Sequence, residues 1–444
     1  MIAAPGLHER LRLAAGVRER PPRRAVADAP GNLLAGGRWE DTAAGPALYV
    51  ERVYDADATH GDFSLSELCE VPGEALSVLG AVADPQRLLF IDLETTGLNG
   101  GTGTLAFLVG VARFDGRRLR LRQYFLPRPH EEGALLEGIA AFARGVSQVV
   151  SYNGSSFDLP LLETRHTMMR SPFWPEGLGH LDLLHSTRRF YNRALDSCRL
   201  ADVEFSVLGV RRGSDIAGWT VPAAYHQFVN EGTVGLMPAV FRHNALDVLS
   251  LVTLLRRLGG LVAGERVSFP SEALELARLA ATHGDMGAAR RYMDVARRSA
   301  VDARSQHLVF WRTLALLKRG SCWPELRDHC LEGLRAGWRE PAVYVEAAKA
   351  CEHRTRELEL ALKLVDRALL RAGMLTGRAG LVSDLELRRA RILRKLGGAG
   401  KGAKRTGPSG DGPASGAPVI GLPLPAHSLA KRVLADNPAI DPRR

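Results

Sequence analysis

Residues 88–98 read LLFIDLETTGL, and this stretch decides the fold. Its apolar run reads as a buried central strand, yet Asp92 and Glu94 stand two residues apart inside it. Positions i and i+2 of a strand share a face. Two carboxylates side by side repel each other and lose hydration, so they need something cationic between them. Carboxylate oxygens of this kind hold hard divalent cations such as Mg²⁺ or Mn²⁺. An isolated Asp-x-Glu also fits a frayed strand end whose acids face water. Three features further along the chain decide against that.

The first is SYNGSSFDLPLL, 151–162. The preceding VSQVV supplies a short β run, Asn153-Gly154 breaks it, and Asp158 opens a helical pattern where it could serve as an N-cap. The second is FRHNALDVLSLVTLL, 241–255, with an apolar helical period through Ala245, Leu249, Val252 and Leu255. On that helix His243 and Asp247 are i and i+4 and share one face; without chemistry they would be a solvated polar stripe. The third is the order itself: strand with Asp-x-Glu, turn with Asp and helix, then a late helix with His and Asp.

Together these resemble the three motifs of the DEDD nuclease superfamily on a ribonuclease H-like fold. The set is most similar to a bacterial branch, the YprB-type ribonuclease H-like proteins. The stretches that carry the resemblance are IDLETTGLNGGTGTLAFLVGV, SYNGSSFDLPLL, HLDLLHSTRRFY, LGVRRGSDIAGWTVPAAY and HNALDVLSL, together spanning roughly 88–257. It implies an α/β fold, a mixed five-stranded sheet flanked by helices. It also implies that Asp92, Glu94, Asp158 and Asp247 bind two Mg²⁺ or Mn²⁺ ions roughly 3.5–4 Å apart, the arrangement used for in-line phosphoryl displacement. His243 would orient or deprotonate the attacking water, with Thr95, Gly97 and Asn153 as substrate-binding residues. One departure stands out. Family members with a histidine place it five residues before the last Asp and those with a tyrosine place it four before, whereas this chain has a histidine at the tyrosine spacing.

The glycine-rich LNGGTGTLA, 98–106, could pass for a dinucleotide fingerprint, but that requires a helix immediately afterward. The next segment, LAFLVGVARF, runs instead like a second strand to the turn Asp115-Gly116 and a third strand, LRLRQYF. A β-β-β meander excludes a Rossmann unit, and no GK[ST] is present for a phosphate-binding loop. The loop reads as backbone that lets a nucleic-acid end approach closely. Asp182 in GHLDLLH matches a family position but lies on a predicted strand, where it would orient neighbours. Asp215 in GSDIAGW reads as a cap or turn closure. His166, His180 and His185 show no ligand spacing with any cysteine. Cys69, Cys198, Cys322, Cys330 and Cys351 form no CxxC pair, which argues against a zinc site or a disulfide framework.

At 444 residues, 45% of them hydrophobic, the chain should hold roughly two or three domains. No run approaches the roughly 18 apolar residues of a membrane span, and no apolar leader opens the chain, so a cytoplasmic, reduced protein is expected. The net charge is +10. Residues 1–30 carry six Arg against three acids and residues 397–444 carry seven Lys or Arg against three acids, so only +3 remains for residues 31–396. Basic ends suit weak electrostatic tethering to phosphates. The expected organisation is a disordered basic segment at 1–30, a lead-in at 31–87, the nuclease domain at 88–260, a helical domain at 270–396 and a tail at 397–444. In the helical domain, three segments beginning at Ser271, His307 and Glu340 each hold two helices with a break midway. Their offset of about 33–36 residues resembles tetratricopeptide-type repeats, without the usual tryptophan and tyrosine positions.

The leading expectation is a metal-dependent nuclease acting 3′→5′ on a single-stranded DNA or RNA end. The alternative is a non-catalytic scaffold that grips nucleic-acid ends and recruits a protein partner through its helical repeats. A third, a proofreading module, would have to act in trans because the chain carries no polymerase sequence after it.

Overall fold

The computed structural model describes residues 36–97, 102–171, 177–213, 215–374 and 379–399. The chain divides into two compact units, the first ending at Ala263 and the second beginning at Gly264. The basic segment 1–30 and the tail expected from 397 lie almost wholly outside the described residues.

Nine strands occur among the described residues of the first unit: β1 (Gly37–Thr42), β2 (Gly45–Tyr54), β3 (Thr59–His60), β4 (Phe63–Ser64), β5 (Leu88–Thr95), β6 (Ala106–Asp115), β7 (Arg118–Phe125), β8 (Gln148–Ser151) and β9 (Gly179–Asp182). Seven of them form one mixed sheet in the order β1-β2-β7-β6-β5-β8-β9, while β3 and β4 make a separate small hairpin. The sheet is mixed, as expected, but has seven strands and not five. The difference is the lead-in. Strand β2 pairs antiparallel with β7, Leu48 opposite Phe125, and covers an edge that would otherwise present unpaired backbone groups. Ion pairs fasten the addition: Arg120 Nη2 lies 2.7 Å from Glu51 Oε1, and Arg122 Nη1 lies 2.8 Å from Glu40 Oε2.

Strand β5 is central, antiparallel to β6 and parallel to β8. Leu88, Leu89, Phe90 and Ile91 are fully buried, which explains why an unbroken apolar run precedes Asp92; each such side chain contributes about 1.5–3 kcal/mol on burial. Strands β5, β6 and β7 form the expected antiparallel meander.

Among the described residues, five longer helices frame this sheet: α1 (Glu132–Phe142), α2 (Asp158–Met169), α3 (Leu183–Tyr191), α4 (Val221–Glu231) and α5 (Met237–Val262). Leu89, Ile91 and Leu93 enter one core cluster with Leu135 and Ile139 of α1. Asp92 and Glu94, alternating with them, therefore point to the opposite face, where α5 lies. Gly110 stands opposite Asp92 in the β5–β6 register and makes that placement possible. A Cβ there would fall 2.3 Å from Asn244 Oδ1 and 2.9 Å from Val248 Cγ2. Only a glycine lets α5 approach this closely.

The second unit is helical throughout its described residues. Its helices run Pro270–Thr282, Met286–Ser299, Ala303–Arg319, Trp323–Arg335, Pro341–Ala350, Leu358–Gly373 and Ala379–Ala399. Small residues such as Ala273 and Ala296 are buried between the first helices with Leu274, Leu308 and Val309. Their succession fits the expected all-helical region after the sheet.

Candidate active site

The site begins with the two acids of β5. The backbone bulges between Glu94 and Thr95, ending the ladder just past the second carboxylate. Both acids are held well above their ordinary carboxylate range. Burial is the largest cause for each. For Asp92 the charges of Asp247, Glu94 and Asp158 add to it; for Glu94 those of Asp247, Asp158 and Asp215 do. The expected acids thus converge closely enough to feel one another. Asp92 receives one compensating hydrogen bond from Asn244 Nδ2, 2.9 Å from its Oδ2. Asn244 itself is fully buried, its Oδ1 accepting from Gln123 Nε2 at 2.9 Å.

Asp158 arrives on the segment after β8. Asn153 adopts a left-handed backbone with φ 65°, and the turn brings Gly154 against the start of α2. A Cβ on Gly154 would lie 2.3 Å from Ser151 Oγ and 2.9 Å from Asp158 Oδ2, so this turn tolerates no side chain. Phe157 is the N-cap of α2 and makes no side-chain cap bond, which leaves Asp158 as the first helical residue and not a cap. Burial first, and the charge of Asp182 second, push the Asp158 carboxyl up to about 7.

Asp182 shapes this loop. It ends β9, caps α3 by accepting from Leu184 N at 3.0 Å, and accepts from Asn153 N at 2.7 Å and Ser155 Oγ at 2.6 Å. Burial opposes its ionisation, but these bonds outweigh it and hold the carboxyl below its ordinary value. Its role is positional, as the sequence suggests.

Helix α5 carries His243 and Asp247 on one face. His243 Nε2 lies 3.5 Å from Asp247 Oδ2, and His243 Nδ1 lies 2.9 Å from Asp215 Oδ2. Ligand atoms of Glu94, His243 and Asp247 all fall within 4.8 Å of one another, a grouping able to hold a metal ion. The donor set fits one. Buried, mutually repelling carboxylates with one amide as their neutral partner are the environment a divalent cation relieves. His243 thus stands within ligand reach itself, beyond its expected role as a base.

Asp215 does more than close a turn. Its Oδ1 accepts from Ile216 N at 2.8 Å, while its Oδ2 takes His243 Nδ1 and, at 2.9 Å, Arg212 Nη1. Burial works against its charge, yet the bonds from Arg212 and His243 prevail and keep it low. Arg212 is a site residue that the sequence does not reveal. Its guanidinium also pairs with Asp247 Oδ1 and forks onto Glu204, Nε to Oε2 at 2.7 Å and Nη2 to Oε1 at 2.5 Å. Glu204 in turn accepts from Ser250 Oγ at 2.5 Å, and Ser250 bonds His60 Nε2 at 2.7 Å. Burial, then the charge of Arg212, drives His60 down to about 4, so this imidazole is neutral. The lead-in thereby buttresses the site through β3.

Of the expected substrate-binding residues, Thr95 donates its hydroxyl to Gly97 O at 2.8 Å and Asn153 is fixed by its backbone bond to Asp182. Gly97 has Thr104 Oγ1 3.4 Å from where a Cβ would stand. The first four residues of the glycine-rich loop, 98–101, lie outside the described residues. Its far end is anchored, because Arg165 of α2 donates to Thr102 O at 2.7 Å while forming a buried ion pair with Glu132. All five cysteines are free. No described helix is long and apolar enough to cross a membrane.

Residues 89–259 match a family model of the ribonuclease H superfamily. Over 363 residues the chain is 32% identical to the uncharacterized protein YprB of Bacillus subtilis (strain 168), covering 78% of this chain and 86% of that protein. The chain belongs to the YprB family. The family's ribonuclease H-like domain is the part that carries all four acids and His243. Among solved structures, a family B DNA polymerase from the archaeon Pyrobaculum calidifontis aligns with a TM-score of 0.31 and 17% identity, covering 54% of this chain and 34% of that one.

Proposed function

We propose that this YprB-family chain is a divalent-metal-dependent nuclease of the DEDD type. On this reading it is a 3′→5′ exonuclease that hydrolyses single-stranded DNA or RNA in the cytoplasm and meets a protein partner through its helical unit. The observation that carries the reading is that Asp92 and Glu94, buried side by side on β5, feel the charges of Asp158 and Asp247, while ligand atoms of Glu94, His243 and Asp247 lie within 4.8 Å of one another. Asp92, Glu94, Asp158 and Asp247 would hold two Mg²⁺ or Mn²⁺ ions. When bound, these supply Lewis acidity that activates water and neutralises charge building on the phosphodiester.

The chain's own residues do the rest. Asp215 can only accept from His243, and its carboxylate is closer to Nδ1 (2.9 Å) than the Arg212 nitrogen is (3.2 Å). The proton therefore belongs on Nδ1, and Nε2 keeps its lone pair on the side of Asp247. In that tautomer His243 accepts a proton from water at Nε2, and Asp215 stabilises the imidazolium that results. Asn244 holds Asp92 in place, and Asp182 holds the turn that presents Asp158.

One observation favours the non-catalytic scaffold. Arg212 already pairs with Asp247, so an acid needed for metal is engaged by a protein cation. Single strands of DNA and of RNA, labelled at either end and incubated with Mn²⁺, separate the two. The nuclease releases mononucleotides from the 3′ end and stops with EDTA. Retention of labelled strands on the protein without any shortening would support the scaffold instead.

A further inference from the structure

The proposed nuclease needs Asp247 as a metal ligand, and the role assigned here to Arg212 rests on that reading. Arg212 does not drift over the site as a surface cation would. Its side chain is 11% exposed, and the Glu204 carboxylate that receives both arms of its fork is 1% exposed. Glu204 is in turn fixed by Ser250, and Ser250 by His60. The segment that leads into Arg212 is locked by close packing. Gly61, at φ +64°, sits where a Cβ would lie 2.0 Å from Leu208 O, and Asp62 N donates to that same carbonyl at 2.8 Å. A guanidinium anchored on Glu204 through Nε and one N–H of Nη2 presents Nη1 and the second N–H of Nη2 as fixed donors to Asp215 and Asp247.

We propose that Arg212 is a built-in cationic competitor at Asp247 that limits how tightly this chain holds a divalent ion there. Two effects act in the same direction. The guanidinium engages Asp247 Oδ1, leaving Oδ2 as the oxygen turned toward His243. Its positive charge also repels any divalent ion within a few ångströms, in surroundings where screening is weak. The same contact gives the metal-free site a counter-ion, so the acid cluster folds before any ion arrives. Arg212 is a positioning residue with a second consequence: occupancy at Asp247 responds to the free concentration of the metal, because the ion must displace or share an existing partner.

The test is calorimetric titration of the full chain with Mn²⁺ alone, without nucleic acid. Arg212→Gln should bind Mn²⁺ at least about tenfold more tightly than wild type. Arg212→Lys, which keeps the charge, should stay within about threefold. Should Arg212→Gln fail to fold, Glu204→Gln combined with Arg212→Gln removes the buried pair as a unit and leaves no unpaired buried charge behind. This double variant keeps the net charge and frees Asp247, so it too should bind more tightly than wild type. Affinity unchanged or weakened in a folded Arg212→Gln or double variant overturns the proposal, as does Arg212→Lys behaving like Arg212→Gln. If wild type binds no Mn²⁺ at all, the metal-dependent nuclease reading itself fails. If wild type binds and Asp247→Ala weakens it while Arg212→Gln gains nothing, only the competitor is refuted.

Discussion

Gly110→Ala tests the packing that assembles the site. The added methyl would sit 2.3 Å from Asn244 Oδ1, 2.9 Å from its Cγ and 2.9 Å from Val248 Cγ2. Carbon contacts settle near 3.5–4.0 Å, so α5 must retreat by about 1 Å. Replacing a strand glycine by alanine would by itself stabilise by roughly 0.5–1 kcal/mol through the unfolded chain. Overpacking works the other way at about 1–3 kcal/mol. Stretching the buried Asn244 bonds to Gln123 and Asp92 adds about 1–3 kcal/mol more. Crowding wins, and the net loss should be about 1–5 kcal/mol. Urea unfolding followed by circular dichroism should show a clearly lower midpoint. Asp247 comes after Asn244 on the same helix, so metal-dependent hydrolysis should drop by about 10²-fold. Gly218→Ala serves as control, since nothing lies within 4 Å of its added methyl. A Gly110→Ala protein as stable and active as wild type would refute the idea that this glycine sets the helix-to-sheet distance.

The same geometry predicts other outcomes. The Asp158 carboxyl is pushed up from 3.8 to about 7, so the folded chain binds its proton more tightly than the unfolded one. Its contribution to metal-free stability is full below the unfolded value and is lost as pH rises through about 7. Melting curves with EDTA should fall over that window; Asp158→Asn should flatten the fall, and a wild-type melting temperature indifferent to pH there would contradict it. His243→Ala should lower kcat by about 10²–10⁴-fold; a variant that only raises KM would point to phosphate contact instead. Removing residues 1–30 and 397–444 deletes +7 of charge and should flatten the salt dependence of nucleic-acid binding. An unaltered slope would assign those contacts to the folded units.

The parts of the site that are legible in the sequence are those written over short spans. The Asp-x-Glu inside an apolar strand, the Asn153-Gly154 turn before Asp158 and the i, i+4 pair on α5 each announce themselves through local periodicity. Asn244 leaves a usable signal: three residues after Phe241 and four before Val248, it is a polar residue on the buried face of α5. Arg212 and Glu204 leave none. They lie in a loop and a short irregular helix without period, and apart from each other and Asp215 their partners are 31–46 residues away. Charge pairing across such distances is decided by tertiary placement. The two additional strands escape the sequence for another reason. ALYVERVY reads as strand-like, but nothing local says that a strand will join the far edge of the sheet, which depends on an open edge at β7.

The measurement closest to the central claim is single-turnover hydrolysis of an end-labelled strand with Mn²⁺. It compares wild type with Asp92→Ala, Glu94→Ala, Asp158→Ala and Asp247→Ala. Metal-free melting should accompany each. Losing Asp92, Glu94 or Asp158 relieves repulsion and should leave stability unchanged or higher, whereas losing Asp247 strips a partner from Arg212 and should lower it. The predicted result is Mn²⁺-dependent cleavage by wild type and none by any of the four, all of them folded. Near-wild-type cleavage by any one removes that carboxylate from the site, and a folded wild type that cleaves neither DNA nor RNA contradicts the account.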